Sequence, residues 1–222
     1  MDRTAKVRRR GPRPKLSDET SKELLVRAVG EILQEEGWQG LGVNKVAFRA
    51  GVDKKMIYWC FESYNNLLKT YLKSQDFWEP VFSAFAVSPP VADSEIPKFI
   101  TSVLQYQFQA FFEDSVMQTL VHWQISEPNS VLKEVSEERE VNGSKIAALA
   151  DPHFARSAIN FRAVLALMVG GVYYVVWHAK NNGSTVCGID INKNQDREDL
   201  VRSLGQLIDL VWDAAEKKTL KK

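Results

Sequence analysis

Cysteine and histidine are scarce in this sequence. Its 222 residues include two cysteines and three histidines. Cys60 and Cys187 are too few and too far apart to suggest a disulfide framework or a zinc site, and they are compatible with a reducing compartment. The three histidines are isolated from one another, so the sequence predicts no metal site.

Motifs that carry enzyme chemistry are also missing. There is no glycine-rich phosphate loop, no paired-histidine metal motif and no nucleophile-elbow sequence. The N-terminus is charged and no apolar segment follows it, so no signal peptide is expected. We therefore expect a cytoplasmic protein that is not an enzyme and needs no cofactor.

Long apolar runs are limited to residues 163–179, AVLALMVGGVYYVVWHA. These 17 residues lack a full charge but fall short of the roughly 20 that a membrane-spanning helix requires. The alternatives are a membrane span and a buried core helix. The core helix is favoured, because Tyr173, Tyr174 and His178 would lie within the span.

Charge is present in quantity but unevenly distributed. The net charge is only +1, yet residues 1–75 hold 15 Lys+Arg and 9 Asp+Glu, a local charge of +6. The remaining 14 basic and 19 acidic residues give −5. A basic N-terminal third on an acidic body is typical of a DNA-binding head on a body that need not touch DNA.

Residues 1–16 form a basic, proline-containing arm that is predicted to be disordered. One interpretation is a solubilising tail. The other, which the neighbouring sequence favours, is an arm that lies in the minor groove of A·T-rich DNA. The cations predicted to contact DNA are Arg8, Arg9, Arg10, Arg13 and Lys15.

Residues 43–61, VNKVAFRAGVDKKMIYWCF, have the pattern of a helix-turn-helix. Apolar residues at 43, 46, 47 and 50 mark one face of a short helix. Gly51 can adopt the left-handed backbone of a tight turn, and Asp53 can cap the next helix. Ile57 and Phe61 share the inner face of that helix. The spacing alone is equally compatible with an ordinary helical hairpin that has a basic surface.

Flanking residues make the stretch from Leu24 to Leu68 resemble the DNA-binding domain of the TetR family of bacterial transcriptional regulators. Gly42, Lys55 and Tyr64 depart from the family pattern. Gly42 and Tyr64 stand where a threonine and a lysine commonly contact phosphate. The matching residues are Leu24, Leu25, Ala28, Ile32, Leu33, Glu36, Gly37, Val46, Ala47, Ala50, Gly51, Val52, Ile57, Tyr58, Phe61, Leu67 and Leu68.

The resemblance implies that the second helix of the motif enters the major groove. Tyr58 matches a family tyrosine whose hydroxyl holds a phosphate, while Met56 and Trp59 could contact thymine methyl groups. The residues predicted to face DNA are Asn44, Lys54, Lys55, Met56, Tyr58 and Trp59.

The rest of the chain has a helical pattern without strands. Expected helices run to about Glu36, then over 95–113, 114–126, 154–180 and 196–218. A further helix over 129–150 is expected to be interrupted near Asn142 and Gly143, and residues 181–195 are expected to form a loop. The expected fold class is therefore all-α. The predicted domains are the arm at 1–16, a helix-turn-helix domain at 17–72 and a helical effector-binding and dimerisation domain at 73–222.

Aromatic residues are abundant in the body. Most must pack in its core, but pockets for small molecules are also lined by apolar and aromatic groups. The TetR resemblance implies such a pocket for a small apolar or aromatic effector. The predicted effector-binding residues are Trp78, Phe82, Tyr106, Phe108, Phe112, Trp123, Tyr173 and Trp177.

A wide apolar stripe near the C-terminus is too broad for one neighbour within the chain. We expect this helix and the one over 154–180 to pair with their symmetry mates in a homodimer. The predicted interface residues are Leu200, Leu204, Leu207 and Val211.

The TetR resemblance implies a homodimeric regulator that binds a double-stranded DNA operator and is a repressor released by a small molecule. One alternative is a DNA-binding regulator without a small-molecule effector. The other is a helical enzyme with a basic head. The sequence does not specify the operator, the effector, the regulated genes, or repression as opposed to activation.

Overall fold

The computed structural model describes residues 17–75, 82–83 and 92–219. The chain divides into two compact units, Met1–Tyr71 (unit 1) and Leu72–Lys222 (unit 2). Regular secondary structure in the described ranges is helical, apart from an isolated bridge between Val186 and Ile189. The predicted all-α class is confirmed. The predicted arm and Trp78 lie outside the described residues.

Unit 1 begins with helix α1, Asp18–Glu36. The Ser17 hydroxyl caps it by accepting a hydrogen bond from the Thr20 amide at 3.2 Å, and serine is among the residues preferred at this position. A 3-10 turn at Trp38–Gly40 leads to α2, Val43–Ala50, and then to α3, Lys55–Phe61. Helix α4, Tyr64–Ser74, begins in unit 1 and ends in unit 2.

The core of unit 1 contains the apolar residues that the periodicity predicts. Val46, Ala47 and Ala50 of α2 are buried, as is Ile57 of α3. They pack with the inner face of α1, and Leu67 and Leu68 of α4 are buried as well. Trp38 and Leu41, in the connection between α1 and α2, are only partly buried. The buried apolar residues of α1 are Leu25, Ala28, Val29, Ile32 and Leu33.

Unit 2 consists of longer helices. They are α5 (Ile96–Glu113), α6 (Ser115–Ser126), α7 (Ser130–Ala148), α8 (Asp151–Phe154), α9 (Phe161–Asn182) and α10 (Asn194–Thr219). Two predictions were wrong here. Helix α7 continues through Asn142 and Gly143 without a break. Helix α9 begins at Phe161 rather than at residue 154, because the Asn160 side chain caps it by accepting from the Ala163 amide at 3.1 Å.

An aromatic cluster joins α8, α9 and α10 in the core of unit 2. Phe154 stacks on Phe161 with ring centroids 4.4 Å apart, and the Trp212 ring meets Phe154 edge-on at 5.2 Å. His153 stacks on Trp212 at 4.1 Å. Such pairs contribute beyond the apolar area that they bury, so they fix the C-terminal helix against the other two.

Helix α9 is long and apolar enough to cross a membrane by length and composition, and only 22% of its apolar window is buried within the chain. Its buried side holds Met168, Val172 and Val176. The core-helix prediction is therefore right for one face only. Side chains on the opposite face, such as Leu167 and Tyr174, are apolar and exposed.

Candidate functional site

Helix α3 presents a mixed basic and aromatic surface. The Asp53 carboxylate accepts a hydrogen bond from the Lys55 amide at 2.8 Å and so caps the start of the helix. Gly51, with φ +70°, makes the turn before it in a left-handed conformation. Ile57 is fully buried and marks the inner face of α3. Lys54 and Lys55 are exposed and Met56 is partly buried.

The two aromatic residues of this surface differ in their contacts. Tyr58 is 51% exposed and Trp59 is 73% exposed. The Trp59 indole N–H donates to a carboxylate oxygen of Asp18 at 3.0 Å. The indole is therefore held against the first turn of α1, which fixes its orientation although most of its area is open to solvent.

The cations of α2 are paired within unit 1. The Arg49 guanidinium lies 2.7 Å from the Glu35 carboxylate of α1, and the hydrogen bond between them lowers the pKa of Glu35. Arg49 also lies 3.6 Å from Glu36, and the Lys45 ammonium bonds to the same residue. These two positive charges are thus directed to α1. The exposed cations Lys54 and Lys55 provide the positive charge at the start of α3.

Another side of α2 carries Asn44 and Phe48. The core residues of α2 define one side of the helix and the paired cations a second, and at 100° per residue Asn44 and Phe48 share a third. Phe48 is 87% exposed. The sequence periodicity shows only that Phe48 lies off the core face of α2. The ion pairs of Lys45 and Arg49 with α1 show that the side with Asn44 and Phe48 is distinct from the side with the cations.

Positions 42 and 64, where the sequence departs from the TetR pattern, also differ in structure from what a phosphate contact requires. Gly42 lies directly before α2, and no described atom outside its chain neighbours lies within 4 Å of the point where a Cβ would be. The Tyr64 hydroxyl is buried with no hydrogen-bond partner among residues 17–75, 82–83 and 92–219, and burial raises the pKa of Tyr64 to about 12. Position 64 therefore directs its polar atom into the protein rather than outward.

The exposed apolar face of α9 has residues at a helical spacing of three and four. They are Ala163, Leu167, Gly170 and Tyr174, of which Leu167 is 77% and Tyr174 is 57% exposed. At Gly170, no described atom lies within 4 Å of the position that a Cβ would occupy. The face is therefore both apolar and open to close approach.

Helix α10 carries two separate apolar rows. Leu204, Ile208 and Trp212 are buried within the chain, whereas Leu207 and Leu210 are 46% and 65% exposed. At 100° per residue, the two rows lie about 130° apart around the helix. The prediction that Leu204 belongs to the dimer interface has to be revised, because Leu204 is 7% exposed and packs in the core of its own chain. Leu200 and Val211 are partly buried against the same core.

The predicted effector-binding aromatics are distributed over the core and surface of unit 2. Phe108 and Trp123 are buried, whereas Tyr106 is 47% exposed and does not line the interior. Phe112 has the Lys180 ammonium 3.6 Å above its ring. The residues that are partly buried are Phe82, Phe112, Tyr173 and Trp177.

Hydrogen bonds distinguish the two buried glutamines of unit 2. The Gln118 side-chain amide donates to the backbone oxygens of Phe111 at 2.7 Å and Phe112 at 3.2 Å. Gln107 is fully buried, and neither its Nε2 nor its Oε1 has a hydrogen-bond partner in the described part of the chain. No sequence pattern distinguishes Gln107 from an ordinary glutamine.

No metal-binding geometry accompanies these surfaces. Among the described residues, no group of three or more His, Cys, Asp or Glu side chains could hold a metal ion.

No protein-family model and no curated protein matches this sequence. Solved structures do match. The transcriptional regulator FadR from Bacillus subtilis, solved in complex with stearoyl-CoA, is 15% identical with a TM-score of 0.58, over 86% of this chain and 98% of that one. A TetR family transcription regulator from Marinobacter aquaeolei is 15% identical with a TM-score of 0.51, over 89% and 96%. The chain has the TetR-type fold.

A third solved structure with the TetR-type fold is NalD, the secondary repressor of the MexAB-OprM multidrug efflux pump in Pseudomonas aeruginosa. It is 17% identical with a TM-score of 0.55, over 85% of this chain and 96% of that one. The matches extend over nearly the whole length of these proteins. The resemblance inferred from residues 24–68 is thereby confirmed at the level of fold and extends to the helical body.

Proposed function

We propose that this protein is a homodimeric transcriptional regulator that binds a DNA operator and is a repressor released by a small-molecule effector. The observation that carries the proposal is the α2–turn–α3 unit, whose exposed surface holds Lys54, Lys55 and Tyr58 within a full-length TetR-type fold. The proposed protein is cytoplasmic and has no enzymatic role.

In the DNA complex, α3 enters the major groove. Tyr58 and the exposed lysines contact phosphates and position the helix. Met56 and Trp59 supply apolar contact to base edges, where the thymine methyl group is the natural partner. Asn44 lies on the outer side of α2, and its neighbour Phe48 extends that surface with an apolar contact. The basic arm lies along a neighbouring minor groove.

The dimer forms through α9 and α10. Two apolar rows that the chain itself leaves uncovered support this proposal, one around Leu167 and Tyr174 and one around Leu207 and Leu210. A two-fold pairing covers both rows in each subunit. It also presents two α3 helices to two half-sites on one face of DNA.

The effector binds in unit 2, among aromatic side chains that include Phe108, Trp123 and Trp177. The stearoyl-CoA complex of FadR supports a small-molecule role for a body of this fold. An effector that binds best to a dimer geometry unsuited to DNA lowers the affinity for DNA. DNA in turn lowers the affinity for the effector by the same factor. The alternative, a regulator without an effector, would show no such coupling.

The proposal is tested by selecting operator sequences from random duplexes with the purified dimer. Binding of the selected duplex is then compared for the wild type and Tyr58→Phe. Loss of a phosphate contact should weaken binding to all duplexes by a similar factor. Tyr106→Phe is the control, because it removes a comparably exposed hydroxyl from unit 2. Failure to enrich any sequence, or equal binding by Tyr58→Phe, would contradict the proposed interface.

A further inference from the structure

Gln107 occupies the centre of the buried stripe of α5. Ile100, Val103 and Phe111 lie on the same side of the helix, at most 6% exposed, and at 100° per residue they flank Gln107 on both sides. Gln107 itself is fully buried, and both polar atoms of its amide lack a hydrogen-bond partner among the described residues.

An unpartnered amide in such a position is costly. A buried donor or acceptor without a partner loses its hydration and gains nothing in return. An apolar side chain of similar volume would avoid this loss. Gln118 shows how the same unit accommodates a buried amide for structural reasons, since its nitrogen donates to two backbone oxygens at the end of α5. Gln107 therefore lacks the structural role that Gln118 has.

The residues that flank Gln107 on α5 are apolar or aromatic. Phe111, one helical turn further along the stripe, packs edge-on against Tyr173 of α9 with centroids 4.8 Å apart. Apolar and aromatic walls with one well-placed polar group are typical of small-molecule sites. A buried neutral amide offers a donor and an acceptor side by side, and it cannot compensate the burial of a full charge.

We infer that Gln107 is the polar contact of the effector and pairs with a neutral group that both donates and accepts hydrogen bonds. The effector is then an apolar or aromatic molecule that carries a primary amide or an un-ionised carboxylic acid. This inference rests on the proposed function, because it assigns a residue and a ligand class to the effector site of unit 2.

The test uses two probes of similar size and shape, benzamide and methyl benzoate. Both have a carbonyl acceptor on an aromatic ring, but only benzamide has a donor. Dissociation constants are measured by calorimetry for the full-length wild type, Gln107→Met and Gln107→Leu. The wild type should bind benzamide at millimolar concentration and about tenfold more tightly than methyl benzoate, a ratio that the loss of one buried hydrogen bond would account for. Both variants should lose this preference.

Gln118→Met is the matched control. It removes a buried amide that has structural partners, so it should lower the thermal midpoint by several degrees. Gln107→Met should leave the midpoint of the ligand-free protein unchanged or raise it, because it removes unpartnered polar atoms. A drop in the midpoint as large as that of Gln118→Met would assign Gln107 to the structure, by way of bound water, and would overturn the inference.

The inference is equally overturned if the wild type does not bind benzamide, shows no preference for it, or if Gln107→Met retains the preference. Operator binding is measured on the same preparations. A wild type that binds its selected operator but fails the probe test removes only the inference about Gln107. A wild type that selects no operator removes the proposed function, whatever the probes do.

Discussion

The exposed cations of α3 make a quantitative prediction about salt. Lys54 and Lys55 lie at the start of α3 and face outward, whereas the Lys45 ammonium of α2 is bound to a carboxylate of α1. If each of the two outward lysines neutralises one phosphate, a dimer engages four. Each neutralised phosphate contributes about 0.9 to the slope of log affinity against log salt. The double change Lys54→Ala and Lys55→Ala should flatten this slope by about 3.6 units.

The effect is large enough to measure on a single duplex. Between about 50 and 200 mM salt, the wild type should lose about 100-fold more affinity than the double variant does. Fluorescence anisotropy of a labelled operator over that range gives both slopes. Lys45→Ala is the matched control and should keep the wild-type slope, because its charge is already paired with Glu36. An unchanged slope in the double variant, or equal flattening by Lys45→Ala, would refute the assignment of cations to DNA.

Two further predictions concern the dimer and the thiols. Leu207→Glu combined with Leu210→Glu places unpaired charges in the proposed interface and should convert the dimer to monomers in sedimentation. The control Ile125→Glu, at a site 73% exposed on α6, should leave the dimer intact. A wild type that sediments as a monomer at micromolar concentration would contradict the proposal. Burial raises the pKa of the Cys60 thiol, whereas Cys187 is exposed. Iodoacetamide at pH 8 should therefore modify Cys187 first, because it reacts with accessible thiolates. Equal rates of modification would show that Cys60 is accessible and ionised.

The helix-turn-helix was predictable from sequence because its signals are local. Short apolar periodicities, a glycine with positive φ and an aspartate cap act within a few residues of one another, and Gly51 and Asp53 adopt the expected roles. The break predicted at Gly143 failed for a physical reason. One glycine in a helix costs only about 1 kcal/mol, which the flanking residues of α7 can offset.

The features that escaped prediction depend on tertiary contacts. The apolar residues of α10 form one broad stripe in the sequence. Periodicity does not show which row of this stripe packs within the same chain and which row is exposed. Only the packing of Leu204 separates it from Leu207 and Leu210. Gln107 was missed for a similar reason, because an isolated glutamine in an apolar stripe gives no sign of whether it has a partner.

The hydrogen bond between Trp59 and Asp18 has a consequence for the start of α1. Asp18 is the first residue of α1, so the bond holds the start of α1 against α3. Under the proposed function α3 lies in the major groove, so the same bond keeps the start of α1 close to DNA. Trp59→Phe, which removes the indole N–H, would then loosen the start of α1 as well as the surface of α3.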